Sequence, residues 1–291
     1  MTALGPLTTL TDRIERLARL DEPGKAVGTA IRKAVPAGGV KDALSGTWLG
    51  HPVHPPLTDV VIGSFVGASV LDLVGPDDGR ASRRLLQLGL LTAVPTALSG
   101  ASDWADSELG DEGVRRMGLV HAGANVVALS LYALSLAARR GGPSRAGSAL
   151  ALAGSAVLGV SGFLGGHITF VRGTGVNQTA FDVGPSDWTD VVDAGEVPQE
   201  GTVAAMAGET PVVLGRHRGQ VFALHDRCSH RGCALSDGEV EEQVITCPCH
   251  GSRFDVRDGS VVRGPATATQ PVLDARETDG RIEVRVRRAS R

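Results

Sequence analysis

Cysteine is scarce in this sequence and confined to one place. Only four occur in 291 residues, at 228, 233, 247 and 249. A disulfide framework spread over the fold is thereby excluded, and one local site is expected. Neither sign of charge is in excess. The formal net charge is −3, which offers no footing for a nucleic-acid partner. Met1 to Leu10 lack both a basic start and an apolar run, so any export is expected to depend on later segments. No repeat or low-complexity tract is visible.

What is present divides the chain in two. Residues 57–170 are rich in Ala, Leu, Val and Gly, whereas residues 187–291 carry 17 acidic and 13 basic side chains. That contrast marks a domain boundary. Between the halves, Val171 to Ser186 contains Arg172, Gly173, Gly175, Asn177 and Gly184-Pro185, and reads as an extended linker over 171–186. Residues 1–50 form a polar, basic segment. Asp12 followed by Glu15 predicts the start of a short surface helix, with Ile14, Leu17 and Leu20 along one stripe.

Four apolar segments are expected at Leu57–Gly75, Leu85–Ser102, Met117–Ala138 and Ala146–Phe170. Each approaches the ~20 residues needed to cross a bilayer. Their charges collect in the connections: Asp77, Asp78, Arg80, Arg83 and Arg84, then Asp103 to Arg116, then Arg139, Arg140 and Arg145. A soluble bundle would show polar faces, which Val126–Ala138 and Ser148–Phe163 lack. Frequent Gly and Ala also suit close packing in lipid. The expectation for 51–170 is an all-α four-helix transmembrane bundle.

From Trp188 onward the pattern changes to short strand-like runs. These are Thr202–Met206, Pro211–Leu214, Val221–Leu224, Val244–Thr246, Phe254–Val256, Val261–Val262 and Ile282–Val286. Arg218-Gly219, Asp258-Gly259 and Asp279-Gly280 supply turns between them. The chain is therefore read as multidomain, with an all-β domain over 187–291.

The decisive stretch is Cys228-Ser-His230-Arg-Gly-Cys233, followed by Cys247-Pro-Cys249-His250-Gly-Ser252. Its form is C-x-H, sixteen intervening residues, then C-x-x-H. Each half offers one thiolate and one imidazole. Two thiolates on one iron and two imidazoles on the other make the ligand set of a [2Fe–2S] centre of raised potential. Two cysteines and two histidines also make a structural zinc site, although the C-x-H half departs from usual zinc-finger spacing.

The surrounding residues, Cys228-Ser-His-Arg-Gly, Cys247-Pro-Cys-His-Gly-Ser-Arg-Phe and Gly264-Pro265-Ala266, resemble the Rieske family over roughly residues 187–288. The resemblance implies a [2Fe–2S] cluster held by Cys228, His230, Cys247 and His250, and single-electron transfer. It is similar to the version in cytochrome bc complexes and some small Rieske proteins, which implies a disulfide between Cys233 and Cys249. Such a bond needs Cα atoms within about 7 Å and persists more readily in an oxidising compartment. Ser252 matches the family serine whose hydroxyl donates to a bridging sulfide and raises the potential. At Phe254 the cytochrome bc proteins have a tyrosine that donates to a ligand sulfur. Phenylalanine has no such hydroxyl, so a lower potential is expected.

Once iron is bound, the outer nitrogen of each imidazole can titrate, and the family often takes hydrogen from quinols. Rieske oxygenases need a further mononuclear iron on two histidines and a carboxylate. No histidine follows His250, so that site is not expected here. Three roles stand. The first is a membrane-anchored carrier between a quinol or haem donor and a redox partner protein. The second is a ferredoxin-like component of an oxygenase or reductase system, and the third a redox sensor.

Four helices running up and down would gather His51, His54, Asp59, Asp103, Trp104, His121, Asn125 and His167 on one face. Polar groups at membrane depth are costly and often functional. A haem b or metal site with His54, His121 and His167 as ligands is one reading; a hydrogen-bonded or proton-relay network is the other. Gly50-His51-Pro52-Val53-His54-Pro55-Pro56-Leu57-Thr58-Asp59 resembles a family of predicted four-helix membrane domains of poorly defined function, over about residues 45–170. Arg80, Arg83, Arg84, Arg139, Arg140 and Arg145 mark the opposite face as cytoplasmic by the positive-inside rule. The cluster domain is then expected on the external face. Arg13, Arg16, Arg19, Lys25, Arg32, Lys33 and Lys41 in the N-terminal segment oppose this, although only Lys41 is near the first span.

Overall fold

The structure, a computed structural model, describes residues 5–74, 79–182 and 184–287. Gly75, Asp77 and Asp78, placed by sequence around the first inter-helix turn, lie outside these. Two compact units result: Met1–Val35 with Val53–Thr174, and Pro36–Pro52 with Gly175–Arg291. The strand-rich unit thus includes a segment that precedes the first apolar helix.

Seven α-helices are present among the described residues: α1 (Pro6–Glu15), α2 (Asp21–Ala34), α3 (Gly39–Ser45), α4 (His54–Val74), α5 (Arg80–Ser107), α6 (Glu112–Ala138) and α7 (Arg145–Gly166). All but α3 build the first unit. A π-helical turn, His167–Val171, continues α7. The helix expected to begin at Asp12 begins at Pro6, and Glu15 ends it, so Leu17 and Leu20 fall beyond. Proline at the first helical position is pre-set in φ and forfeits no bonded N–H, which makes it a better start than Asp12. α4, α5, α6 and α7 with its π-turn are each long and apolar enough to cross a membrane.

A repeat invisible in the letters is visible in the packing. His54, Phe65 and Asp72 on α4 stand 67 residues before His121, Tyr132 and Arg139 on or just after α6. Gly89, Thr96 and Gly100 on α5 stand 65 residues before Gly154, Ser161 and Gly165 on α7. Each pair performs one task. His54 Nδ1 donates to Thr96 O at 3.0 Å, and His121 Nδ1 to Ser161 O at 2.8 Å. A Cβ on Gly89 would strike the Phe65 ring, and one on Gly154 would crowd Tyr132. Phe65 and Tyr132 then stack on each other, centroids 3.7 Å apart and 5° from parallel. Asp72 and Arg139, both buried, form a two-pronged ion pair. Two of these equally spaced pairs, Phe65 with Tyr132 and Asp72 with Arg139, touch each other and join the α4–α5 hairpin to the α6–α7 hairpin.

Among the described residues of the second unit, ten strands form two antiparallel sheets. They are β1 (Thr189–Asp193), β2 (Thr202–Ala207), β3 (Thr210–His217), β4 (Gln220–His225), β5 (Glu239–Glu241), β6 (Val244–Thr246), β7 (Arg253–Asp255), β8 (Val261–Arg263), β9 (Val272–Thr278) and β10 (Arg281–Val286). The larger sheet runs β1-β10-β9-β4-β3-β2 and the smaller β5-β6-β7-β8. β1, β5 and β9 escape sequence reading because their pairing supports charged residues that break the apolar run. Arg218 and Asp279 adopt positive φ before Gly219 and Gly280, as tight hairpin turns require. Val213, Leu224, Ile245, Phe254, Cys228 and Cys247 share one core cluster.

The expected linker is not free over its later part. Gln178 N–H donates to Ser229 O at 3.1 Å. Asp182 accepts from Thr210 Oγ1 at 2.8 Å and meets His225 Nε2 at 3.0 Å. Gln178 and Asp182 thus satisfy groups on the strand-rich unit.

Candidate metal centre

Two loops of one design carry the candidate ligands. The first joins β4 to β5 and the second joins β6 to β7. Gly232 lies four residues after Cys228, and Gly251 four after Cys247. Both sit at positive φ, 77° and 76°, where a Cβ is unfavourable. Their N–H groups return to the cysteine carbonyls at 2.8 and 3.0 Å. Each cysteine N–H reaches the carbonyl five residues on, Cys233 O and Ser252 O, at 2.8 Å. The turns aim further N–H groups at sulfur: those of His230 and Arg231 at Cys228, those of Cys249 and His250 at Cys247. Such nests favour an anion.

Sulfur faces sulfur, and ring faces ring. Cys228 and Cys247 are buried, unoxidised and hydrogen-bonded to each other. That bond and burial push the Cys228 thiol far up, while the same bond draws Cys247 down to about 7. The pair sheds one proton readily and the second only against a cation. His230 and His250 lie edge to face, centroids 5.1 Å apart. Burial, then the charges of Arg231, His250 and Lys41, push His230 well below the usual imidazole range. It is held neutral, the form that binds metal.

Beside the four candidates, Cys233 and Cys249 form a disulfide with Cα atoms 6.5 Å apart. Each loop supplies one of its sulfurs, so the bond clamps them together. Ser252 is fully buried and its Oγ accepts the Ala266 N–H at 3.0 Å, which leaves the hydroxyl hydrogen for another acceptor. Phe254 is fully buried in the cluster that contains both free cysteines.

The site sorts into one pair of hydrogen-bonded thiols and one pair of facing rings. A structural zinc ion takes four donors at a single centre. Matched pairs instead fit a cofactor with two metal atoms, each taking two protein ligands. The donor set, its nests and its coupled thiols therefore fit a [2Fe–2S] group.

Sequence reasoning missed Gln270. Its buried amide donates to His225 O at 2.6 Å and Arg227 O at 2.8 Å, and accepts the Ser229 N–H at 2.9 Å. It pins the first loop from β9's approach, forty-two residues from Cys228. No local pattern signals such a role. The three histidines proposed for the membrane half occupy separate networks. His54 bonds Thr96 and Ser99. His121 bonds Ser161, and Asn125 donates to its Nε2 at 3.0 Å. His167 meets Glu15 at 2.9 Å beside Arg172.

Comparison with known proteins agrees with this geometry. Residues 187–274 match the family described as Rieske [2Fe-2S] domain, and residues 50–178 match that described as predicted membrane protein (DUF2231). The anthranilate 1,2-dioxygenase ferredoxin subunit of Burkholderia cepacia is 34% identical over 101 residues, which cover 35% of this chain and 94% of that one. Cytochrome b6-f complex iron-sulfur subunit 3 of Nostoc sp. is 38% identical over 90 residues, 30% of this chain and 49% of that one. Among solved structures, the ferredoxin of carbazole 1,9a-dioxygenase from Nocardioides aromaticivorans is 25% identical with a TM-score of 0.33, covering 35% of this chain and all of that one. With its buried thiol pair, its ring pair and its clamped loops, the chain belongs to the Rieske [2Fe–2S] family and carries a DUF2231 predicted membrane domain ahead of the Rieske domain.

Proposed function

We propose that this protein is a membrane-anchored single-electron carrier, with Cys228 and Cys247 on one iron of its [2Fe–2S] cluster and His230 and His250 on the other. The observation that carries this reading is the two-by-two arrangement on matched loops, buried thiol beside buried thiol and half-buried imidazole beside half-buried imidazole. When bound, the group takes up or gives away one electron at a time. The backbone N–H nests hold the sulfurs as anions. Ser252 offers a hydroxyl hydrogen to the site, Phe254 walls it with hydrocarbon, and the disulfide restrains both loops. His230 and His250 can each hold a proton on the ring nitrogen that is not spent on metal.

Four apolar helices suit a donor dissolved in lipid, a quinol, or a haem in a membrane partner. The likeness to an oxygenase ferredoxin supports a second reading, in which the electron passes to an oxygenase or reductase protein. An even number of crossings returns the chain to its side of entry, and the opposite turns hold Arg80, Arg83, Arg84, Arg140 and Arg145. That bias, with the disulfide, favours an external cluster domain. Arg139 adds less to it, because Asp72 neutralises it internally.

The test is metal and sulfide analysis of detergent-solubilised protein purified without oxygen. Iron and acid-labile sulfide in equal amounts are expected, falling sharply in Cys228→Ser. Zinc without iron or sulfide refutes the reading. The same sample settles the membrane half: a Soret band lost on His121→Ala marks haem b, and none leaves the helices as anchor and scaffold.

A further inference from the structure

Most of the large apolar side chains that the strand-rich unit leaves exposed lie in two short stretches beside the long apolar helices. Val40, Trp48 and Leu49 are 66, 69 and 47% exposed, and Phe181 is 97% exposed. Elsewhere the described residues of that unit expose only Met206 and Val262 to a comparable degree. Trp48 lies six residues before α4, and Phe181 ten residues after the π-helical turn that ends the last candidate span. Anchored backbone carries both rings. Thr47 Oγ1 donates to Ala266 O, and Trp48 Nε1 to Ala43 O, each at 3.2 Å. Around Phe181, Thr179 is only 3% exposed, Asp182 accepts from Thr210, and Gln178 N–H reaches Ser229 O. The fold presents these rings outward.

An aromatic side chain has about 150–250 Å² to bury, so holding two of them bare in water is unfavourable. The boundary between lipid and water removes that cost, and tryptophan is enriched there. With 21 residues, α4 is about 31 Å long. Its first residue therefore stands at the edge of a hydrocarbon core about 30 Å thick. Six residues of chain reach no further than about 20 Å from that edge. We propose that Trp48, Leu49 and Phe181 form a membrane-docking surface, which seats the strand-rich unit on the headgroup layer of the bilayer. Both stretches also bond to the cluster side of the unit. Thr47 holds Ala266, whose N–H meets Ser252, and Gln178 holds Ser229, between Cys228 and His230. Docking thus fixes the ligand loops relative to the lipid. A protein partner could cover aromatic rings anywhere on the unit; a bilayer covers them where the chain meets a span.

This inference rests on the reading of α4 to α7 as membrane spans. The full-length protein is placed in nanodiscs of ordinary or dibrominated phosphatidylcholine, whose bromine quenches tryptophan on contact, and the emission is compared. Trp48 is read as the difference between wild type and Trp48→Phe. Phe181→Trp adds a reporter at the second stretch, and Met206→Trp, on β2, is the control. Emission from Trp48, and that gained in Phe181→Trp, should fall about twofold in brominated lipid. Emission gained in Met206→Trp should not change. If Trp48 and Phe181→Trp are both unquenched, the proposal is overturned and the rings are left to a protein partner. Equal quenching at all three positions overturns it as well, because no face is then selected. Release of the wild type from vesicles by alkaline carbonate is a different failure, that of the spans themselves.

Discussion

Ser252 and Phe254 sit two residues apart and treat the site in opposite ways. Ser252 accepts from Ala266 and keeps its own hydrogen to give, so Ser252→Ala removes a donor that stabilises added negative charge. A fall of tens of millivolts in midpoint potential is expected, together with a loss of about 1 kcal/mol in stability from the Ala266 N–H left buried and unpaired. Phe254 has a fully buried ring and nothing to donate. Phe254→Tyr should raise the potential, provided that the new hydroxyl finds a ligand sulfur. A titration that shows no change, or a fall, removes this account of tuning. Both residues were legible from their place after the second ligand pair; Gln270 was not, because its proximity to the first loop arises only on folding.

At the level of elements, two devices hold pieces of chain together. In the helical unit the two hairpins meet through Phe65 on Tyr132 and Asp72 on Arg139. Removing one member of a buried ion pair leaves the other uncompensated and costs about 3–5 kcal/mol. Asp72→Asn and Arg139→Met should each lower the thermal midpoint in detergent clearly. The matching positions make the reversal Asp72→Arg with Arg139→Asp less harmful than either single reversal. If the double variant is as unstable as both singles combined, the two positions are not equivalent. In the strand-rich unit the disulfide spans 16 residues, a loop length for which cross-linking contributes about 3 kcal/mol. Replacing Cys233 and Cys249 by serine should lower denaturant resistance by that order and quicken loss of the visible spectrum on dilution.

Across the whole molecule, acid should act first through paired carboxylates. The Arg257 guanidinium holds Asp255 below the usual carboxylate range. Asp258 is lowered by the Ser260 N–H. Asp182 is lowered by Thr210 and His225 against an opposing burial cost. A depressed folded value contributes stability above the unfolded value, near 3.9, and that contribution is lost as pH falls through the folded value. Asp42 is raised by burial and works in the other direction. Stability of the strand-rich unit should therefore decline below about pH 4, and Asp255→Asn should flatten that limb in a urea series. An unchanged slope in the variant argues against the Asp255 contribution.

Composition and spacing alone determined that the chain has an apolar helical half and a strand-rich half, and that two Cys–His pairs offer a metal site; it was the resemblance of the residues around those pairs that implied two irons rather than zinc. These are local properties: span length follows from hydrocarbon thickness, and ligand spacing from the reach of a single turn. Asp12–Glu15 misled because a proline six residues earlier sets the helix start more strongly. Only the tertiary structure decided that residues 36–52 fold with the strand-rich unit, and that α4–α5 and α6–α7 make matching contacts. Their likeness resides in a few contact positions, because lipid-facing residues between them need only be apolar. Packing between the hairpins preserves the glycine under each ring and the complementary charges, and nothing in the linear order marks them.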